Sequence, residues 1–241
     1  MFKNAFFLLL FVVSTTAIFG QIKNDTIALS AVTLKGSPIK NLLQNTAASV
    51  SVITAADINK SDGIILTSVL NKIPGLTMQQ GALNTNRITI RGIGARAQYG
   101  TNKIKAYFDG IPLTTGEGDS TLDAIDLASI EKIEIIKGPN STSFGSGLGG
   151  VIQLFSRETP LLASFGKATV TFGSFGLLQQ RLSAGYDDSK TNIFSSYTDL
   201  QTDGFRANSS YNRKSLNLHG KQKMGSNGIL SFLGTFTRLK A

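Results

Sequence analysis

The sequence predicts an α+β domain followed by the antiparallel β-strands of an incomplete transmembrane β-barrel, and three observations carry that expectation. Helix and strand signals alternate from about Ala47 to Arg157, roughly a hundred residues and the size of a compact α+β unit. After about Pro160 the chain reads as strand after strand, apolar on one face and polar on the other, with turn residues between. Charged residues make up only 16% of the 241 residues, yet Lys and Arg outnumber Asp and Glu by 24 to 15, a net charge of +9. A soluble protein usually carries ~25% charged residues, so this basic, charge-poor chain is unlike a cytosolic enzyme.

Residues 1–20 read as a signal peptide. Lys3 precedes the apolar run Ala5–Val13, which is too short to span a bilayer, and small and polar residues lead to cleavage before Gln21. From 21 to 46 the chain is polar and weakly patterned, a tether, with one extended-looking island at Asp25-Thr26-Ile27-Ala28-Leu29-Ser30-Ala31.

The α+β unit spans 47–158. Val50 to Thr54 forms a strand, and Thr54-Ala55-Ala56-Asp57 has the form of a capping box. Leu66, Val69, Leu70 and Ile73 recur at helical spacing, and Pro74-Gly75 stops that helix. Ile88-Thr89-Ile90 alternates as a strand ended by Arg91-Gly92. Lys105 to Phe108, Asp109-Gly110 and Ile111 to Leu113 make strand, tight turn and strand. Ile130 to Ile136 is a further strand, closed by Gly138-Pro139.

Strands fill 163–241. Ala168, Val170 and Phe172 share one face, and Leu182, Ala184 and Tyr186 the next. Leu216 and Leu218 follow, then Leu230, Phe232 and Phe236, all with polar residues between. Strands of ~9–11 residues with this dyad repeat suit a wall between lipid and a polar lumen. The same alternation also suits a soluble β-sandwich, and the stretch 190–200 alternates poorly.

Several function classes are excluded. With no Cys and one His, His219, the chain offers no thiol nucleophile, zinc finger, disulfide or two-His metal site. Gly145 to Gly150 satisfies G-x-G-x-x-G, but a strand, Val151 to Phe155, follows where a phosphate-binding loop opens a helix. The glycines therefore read as close-packed turns against a neighbouring wall. No catalytic constellation is found, no cofactor is implied, and the basic surplus after residue 161 lacks the aromatic motif of an RNA-binding fold, so no nucleic acid partner is expected.

Asn71-Lys72-Ile73-Pro74-Gly75-Leu76, Ile88-Thr89-Ile90-Arg91-Gly92, Phe108-Asp109-Gly110-Ile111-Pro112, Ile130 to Pro139, and Ser143 through Ile152 occur in the order that resembles the plug domain of TonB-dependent outer-membrane receptors. The residues after 163 resemble the first strands of the barrel. The resemblance implies a plug inside a barrel of ~22 strands, in the outer membrane of a Gram-negative bacterium, with the TonB protein and its inner-membrane complex as partners. Asp25, Thr26, Ile27, Ala28, Leu29, Ser30 and Ala31 then correspond to the TonB box, whose extended backbone suits strand addition to a partner's sheet. Arg91 and Lys137 correspond to plug residues that latch onto barrel carboxylates, although many relatives carry Arg where this chain has Lys137. Arg96, Gln98, Tyr99, Thr114, Thr115 and Glu117 are the apex residues expected to meet the ligand, and an Arg beside aromatic and amide groups suits a ferric siderophore or ferric citrate-type chelate. Cobalamin or another nutrient, or an exported soluble ligand-binding module, is the alternative. About five strands follow the plug, far fewer than a barrel needs, so the chain is expected to be an N-terminal fragment.

Overall fold

The computed structural model describes residues 33–35, 48–82, 85–94, 102–115, 118–120, 122, 125–139, 144–145, 147–225 and 228–240. Strand β1 (Ser49–Thr54) runs into helix α1 (Ala55–Asn59). Thr54 has extended backbone and accepts from the Asp57 N–H, while the Asp57 carboxylate accepts from the Thr54 N–H, which completes the expected capping box. Helix α2 (Leu66–Leu70) buries Leu66, Val69 and Leu70. It stops short of Ile73 because the chain turns before Pro74-Gly75. The Asn71 amide fixes that turn by accepting from Met78 N–H at 2.6 Å and donating to Met78 O at 3.0 Å.

Strands β2 (Leu76–Ala82) and β3 (Thr85–Ile90) pair as a hairpin. Strands β4 (Ile104–Phe108) and β5 (Ile111–Pro112) are joined by Asp109 and Gly110, both at positive φ, 47° and 83°, as an Asp-Gly hairpin turn requires. A 3₁₀ turn, Leu127–Ser129, leads into β6 (Ile130–Lys137), and β7 (Gly150–Ser156) completes a five-stranded sheet of order β1-β6-β7-β4-β5. Only β4 and β7 are parallel. Ile104, Ala106, Ile133, Ile135, Ile152 and Leu154 point to one face and form the core with α1, α2 and the β2–β3 hairpin. The glycine run packs against this domain's own sheet and not against a neighbouring wall, because β7 begins at Gly150 between β6 and β4. A Cβ on Gly149 would lie 2.9 Å from Ile104 Cγ1, and one on Gly150, at φ +140°, would lie 2.3 Å from Ile136 O.

Strands β8 (Ser164–Phe172), β9 (Leu178–Asp187), β10 (Thr191–Thr202), β11 (Tyr211–Met224) and β12 (Gly228–Lys240) form a sequential antiparallel meander. The register aligns Ala168 with Leu182, Leu182 with Tyr197, Tyr197 with Leu216 and Leu216 with Phe236. One apolar row therefore runs across all five strands. Phe172, Leu182, Tyr186, Ile193, Tyr197, Phe232 and Phe236 on this outer face are exposed. The inner face is polar and largely buried, with Ser196, Thr198, Arg213, Ser215, Asn217 and His219 each below 7% exposure. The weakly alternating stretch is strand β10. Phe194 and Leu200 join Ser196 and Thr198 on its inner face, while Ser195 and Asp199 lie among Ile193 and Tyr197 on its outer face, so neither side is uniform. Strands β8 and β12 are the edges, and the sheet is not closed within this chain. No helix among the described residues is long and apolar enough to cross a membrane.

Candidate functional site

The α+β domain meets the inner face of the large sheet through polar groups. Asp126 caps the 3₁₀ turn, accepting from Ala128 N–H at 3.2 Å, and its carboxylate is 2% exposed. Thr198 on β10 donates its hydroxyl to Asp126 Oδ2 at 2.7 Å. Arg181 on β9 and Arg213 on β11 bring Nη2 atoms to 3.7 and 3.8 Å from Asp126 Oδ1. The two guanidiniums also donate to backbone carbonyls of the domain, Arg181 to Gly63 O at 2.8 Å and Arg213 to Ile125 O at 3.0 Å. One carboxylate thus stands between two arginines from the facing wall.

A second junction lies where the chain passes between the two sheets. Thr159 N–H donates to Asn192 Oδ1, Thr159 Oγ1 to Ile193 O and Asn192 Nδ2 to Thr159 O. Glu158 accepts from Lys221 Nζ of β11 at 2.5 Å. Burial alone would raise the Glu158 carboxyl, but the hydrogen bond and charge of Lys221, with the charge of Lys35, leave it below the ordinary carboxylate value.

Arg91 and Lys137, 46 positions apart in sequence, come together at the Pro74-Gly75 turn. Arg91, at φ 49°, donates its N–H to Gly75 O at 2.8 Å, and Lys137 Nζ donates to Pro74 O at 2.8 Å. Partial burial, and then the neighbouring Arg91 charge, hold the Lys137 ammonium below its ordinary range. Neither makes a salt bridge among the described residues. Thr114 pairs with Ser120, and Thr115 N–H donates to Asp119 O, so both sit exposed on a small turn beyond the β4–β5 hairpin. Asp25 to Ala31, Arg96, Gln98, Tyr99 and Glu117 lie outside the described residues.

Residues 42–151 match the family model of the TonB-dependent receptor plug domain. The chain carries the plug domain of the TonB-dependent receptors. It is 27% identical to the vitamin B12 transporter BtuB of Vibrio vulnificus, over 56% of this chain and 21% of the relative. It is 34% identical to the iron-regulated outer membrane virulence protein of Vibrio cholerae, over 48% of this chain and 18% of the relative. The chain therefore spans about a fifth of the length of these curated relatives. The pyoverdine outer membrane receptor FpvA of Pseudomonas aeruginosa superposes with a TM-score of 0.70 at 18% identity, over 85% of this chain and 30% of that one. The ferric-catecholate import receptor Fiu of Escherichia coli K12 superposes with a TM-score of 0.62 at 22% identity, over 79% and 27%.

The α+β domain is accordingly the plug, and β8–β12 are barrel strands with their apolar face toward lipid and their polar face toward the plug. The receptor is an outer-membrane protein of the Gram-negative envelope, and its family is one of receptors and transporters, not enzymes. Asp126, Arg181, Thr198 and Arg213 were not legible as a site in the sequence. Arg181 occupies a polar-face position of an alternating strand, which points it at the lumen, but no local signal assigns it a partner 55 residues away.

Proposed function

We propose that this receptor takes up a scarce ligand across the outer membrane, driven by TonB acting on the Asp25–Ala31 segment, and that the ligand is a ferric siderophore or ferric citrate-type chelate. The observation that carries this reading is a plug held by buried ionic and hydrogen-bonded contacts on the inner face of a lipid-facing sheet. A plug fixed in this way blocks the lumen, so passage requires work, and the outer membrane stores none of its own. Arg91 and Lys137 support a latch role, because two cations held side by side favour an acidic partner on the barrel wall. Thr114 and Thr115 offer exposed hydroxyls for ligand contact, and Arg96, Gln98, Tyr99 and Glu117 are assigned to the same ligand by their motif position. Cobalamin is the second reading, favoured by the similarity to a vitamin B12 transporter. In this reading residues 1–20 are removed on export, 21–46 form the tether, 47–158 the plug, and the barrel strands begin at 163.

The test is uptake of labelled ferric chelates and of labelled cobalamin by cells that carry the receptor as their sole TonB-dependent protein, with and without TonB. Chelate uptake that disappears without TonB supports the reading. Cobalamin uptake alone replaces the ligand, and uptake that persists without TonB overturns the coupling.

A further inference from the structure

Thr33, Leu34 and Lys35 begin two positions after Ala31 and dock on the face of β6 opposite the plug core. Leu34 is 3% exposed. Lys132 and Glu134, two residues apart on a strand and therefore on one face, form a 2.5 Å ion pair with side chains 13% and 1% exposed. The pair also takes the backbone on either side of Leu34. Lys132 Nζ donates to Thr33 O at 3.0 Å, and Lys35 N–H donates to Glu134 Oε1 at 2.8 Å. The Lys132 ammonium lies 5.1 Å from the centre of the Phe155 ring, which restricts its position from the other side. The Lys35 side chain reaches Glu131 at 3.5 Å and Glu158 at 3.6 Å, and Glu158 is the carboxylate that binds Lys221 of the barrel wall.

We propose that Lys132 and Glu134 are a clasp that docks residues 33–35 on the plug and sets how readily the preceding segment is released to its partner. This rests on reading Asp25–Ala31 as the coupling segment. Two side chains gripping two backbone groups make an attachment that opens locally, without breaking any ladder of the plug sheet. When Lys35 leaves, Glu158 keeps Lys221, so the tether can lift while the junction between plug and wall stays closed.

The test is native-state hydrogen exchange of the Lys35 amide, which donates to Glu134, in outer-membrane vesicles containing the receptor. Lys132→Met removes the Thr33 bond and the ion pair, so Lys35 exchange should accelerate about tenfold to a hundredfold, while the Ile133 and Ile135 amides stay protected. Lys132→Arg should restore much of the protection. Should Ile133 and Ile135 also lose protection, Leu34→Ala, which leaves β6 intact, must accelerate Lys35 alone. Lys35 exchange within twofold of wild type in either variant overturns the clasp. Cross-linking of residues 25–31 to a soluble TonB domain is the second arm, and capture should rise in Lys132→Met. Faster Lys35 exchange with unchanged capture overturns the control of release. Capture in neither protein overturns the reading of Asp25–Ala31 and leaves the docking contact standing.

Discussion

Asp126→Asn deletes one charge and almost no volume, which makes it the sharpest probe of how the plug is held. At an effective dielectric constant of about 20, two unit charges this close attract by about 4 kcal/mol, and the wild-type carboxylate faces two guanidiniums at 3.7 and 3.8 Å. The Arg181 side chain is one-fifth exposed, so its share is partly screened, whereas Arg213 is 5% exposed and is not. Breaking a buried pair by removing one partner costs about 3–5 kcal/mol, because the other charge stays desolvated. Asn retains hydrogen-bonding capacity toward Thr198 and Ala128, so the lower end applies, about 3 kcal/mol or on the order of a hundredfold in the opening equilibrium. The assay is native-state hydrogen exchange at Ser129, whose N–H donates to Asp126 O at 3.0 Å, in receptor embedded in outer-membrane vesicles. Arg213→Met in the Asp126→Asn background should recover a substantial part of the loss, since it removes the stranded cation. Exchange at Ser129 within twofold of wild type in the folded single variant would refute the electrostatic account. An equal loss in Thr198→Val would assign the hold to the hydroxyl instead.

Three further outcomes follow from the same geometry. Hydrogen bonds from the Thr54 side chain and backbone hold the Asp57 carboxyl below 3.8. The capping box should therefore stabilise the plug above that pH and be lost as pH falls through the folded value; Thr54→Ala should cost about 0.5–2 kcal/mol at neutral pH and much less in acid, by thermal unfolding at each pH. Gly150→Ala places a Cβ 2.3 Å from Ile136 O at φ +140°, so the β6–β7 pairing should shift and stability fall by about 1–3 kcal/mol from backbone strain alone, read as a lower melting temperature. Ile27→Pro or Leu29→Pro should abolish uptake and leave ligand binding intact, because proline removes a donor and fixes φ in the segment proposed to pair with TonB by its backbone; normal uptake would show that the coupling site lies elsewhere.

The sequence by itself determined the local elements and the order in which they occur. Thr54 and Asp57 carry their capping box within four residues, Asp109-Gly110 specifies its turn, and Leu66, Val69 and Leu70 mark a buried helical face, because each depends on neighbours in the chain. The dyad repeat of Leu182, Tyr186, Phe232 and Phe236 likewise made the lipid-facing row legible, since side-chain alternation is a property of the strand itself. Strand β10 was obscured because both of its faces are mixed, and the reason is tertiary: Leu200 turns inward toward Leu66 and Leu122 of the plug, and Phe194 packs against Phe165 of β8. Only the folded chain could bring Arg91 to Lys137 across 46 positions, or Asp126 to Arg181, Thr198 and Arg213 across 55 to 87. A buried charge is tolerated only where partners converge on it, and convergence from three barrel strands is fixed by sheet register and by how the plug seats against the wall. The same holds for Glu134, which reads in sequence as one more polar position on an alternating strand. Its burial and its grip on the Lys35 backbone arise only when residues 33–35 fold back across almost a hundred positions to cover it.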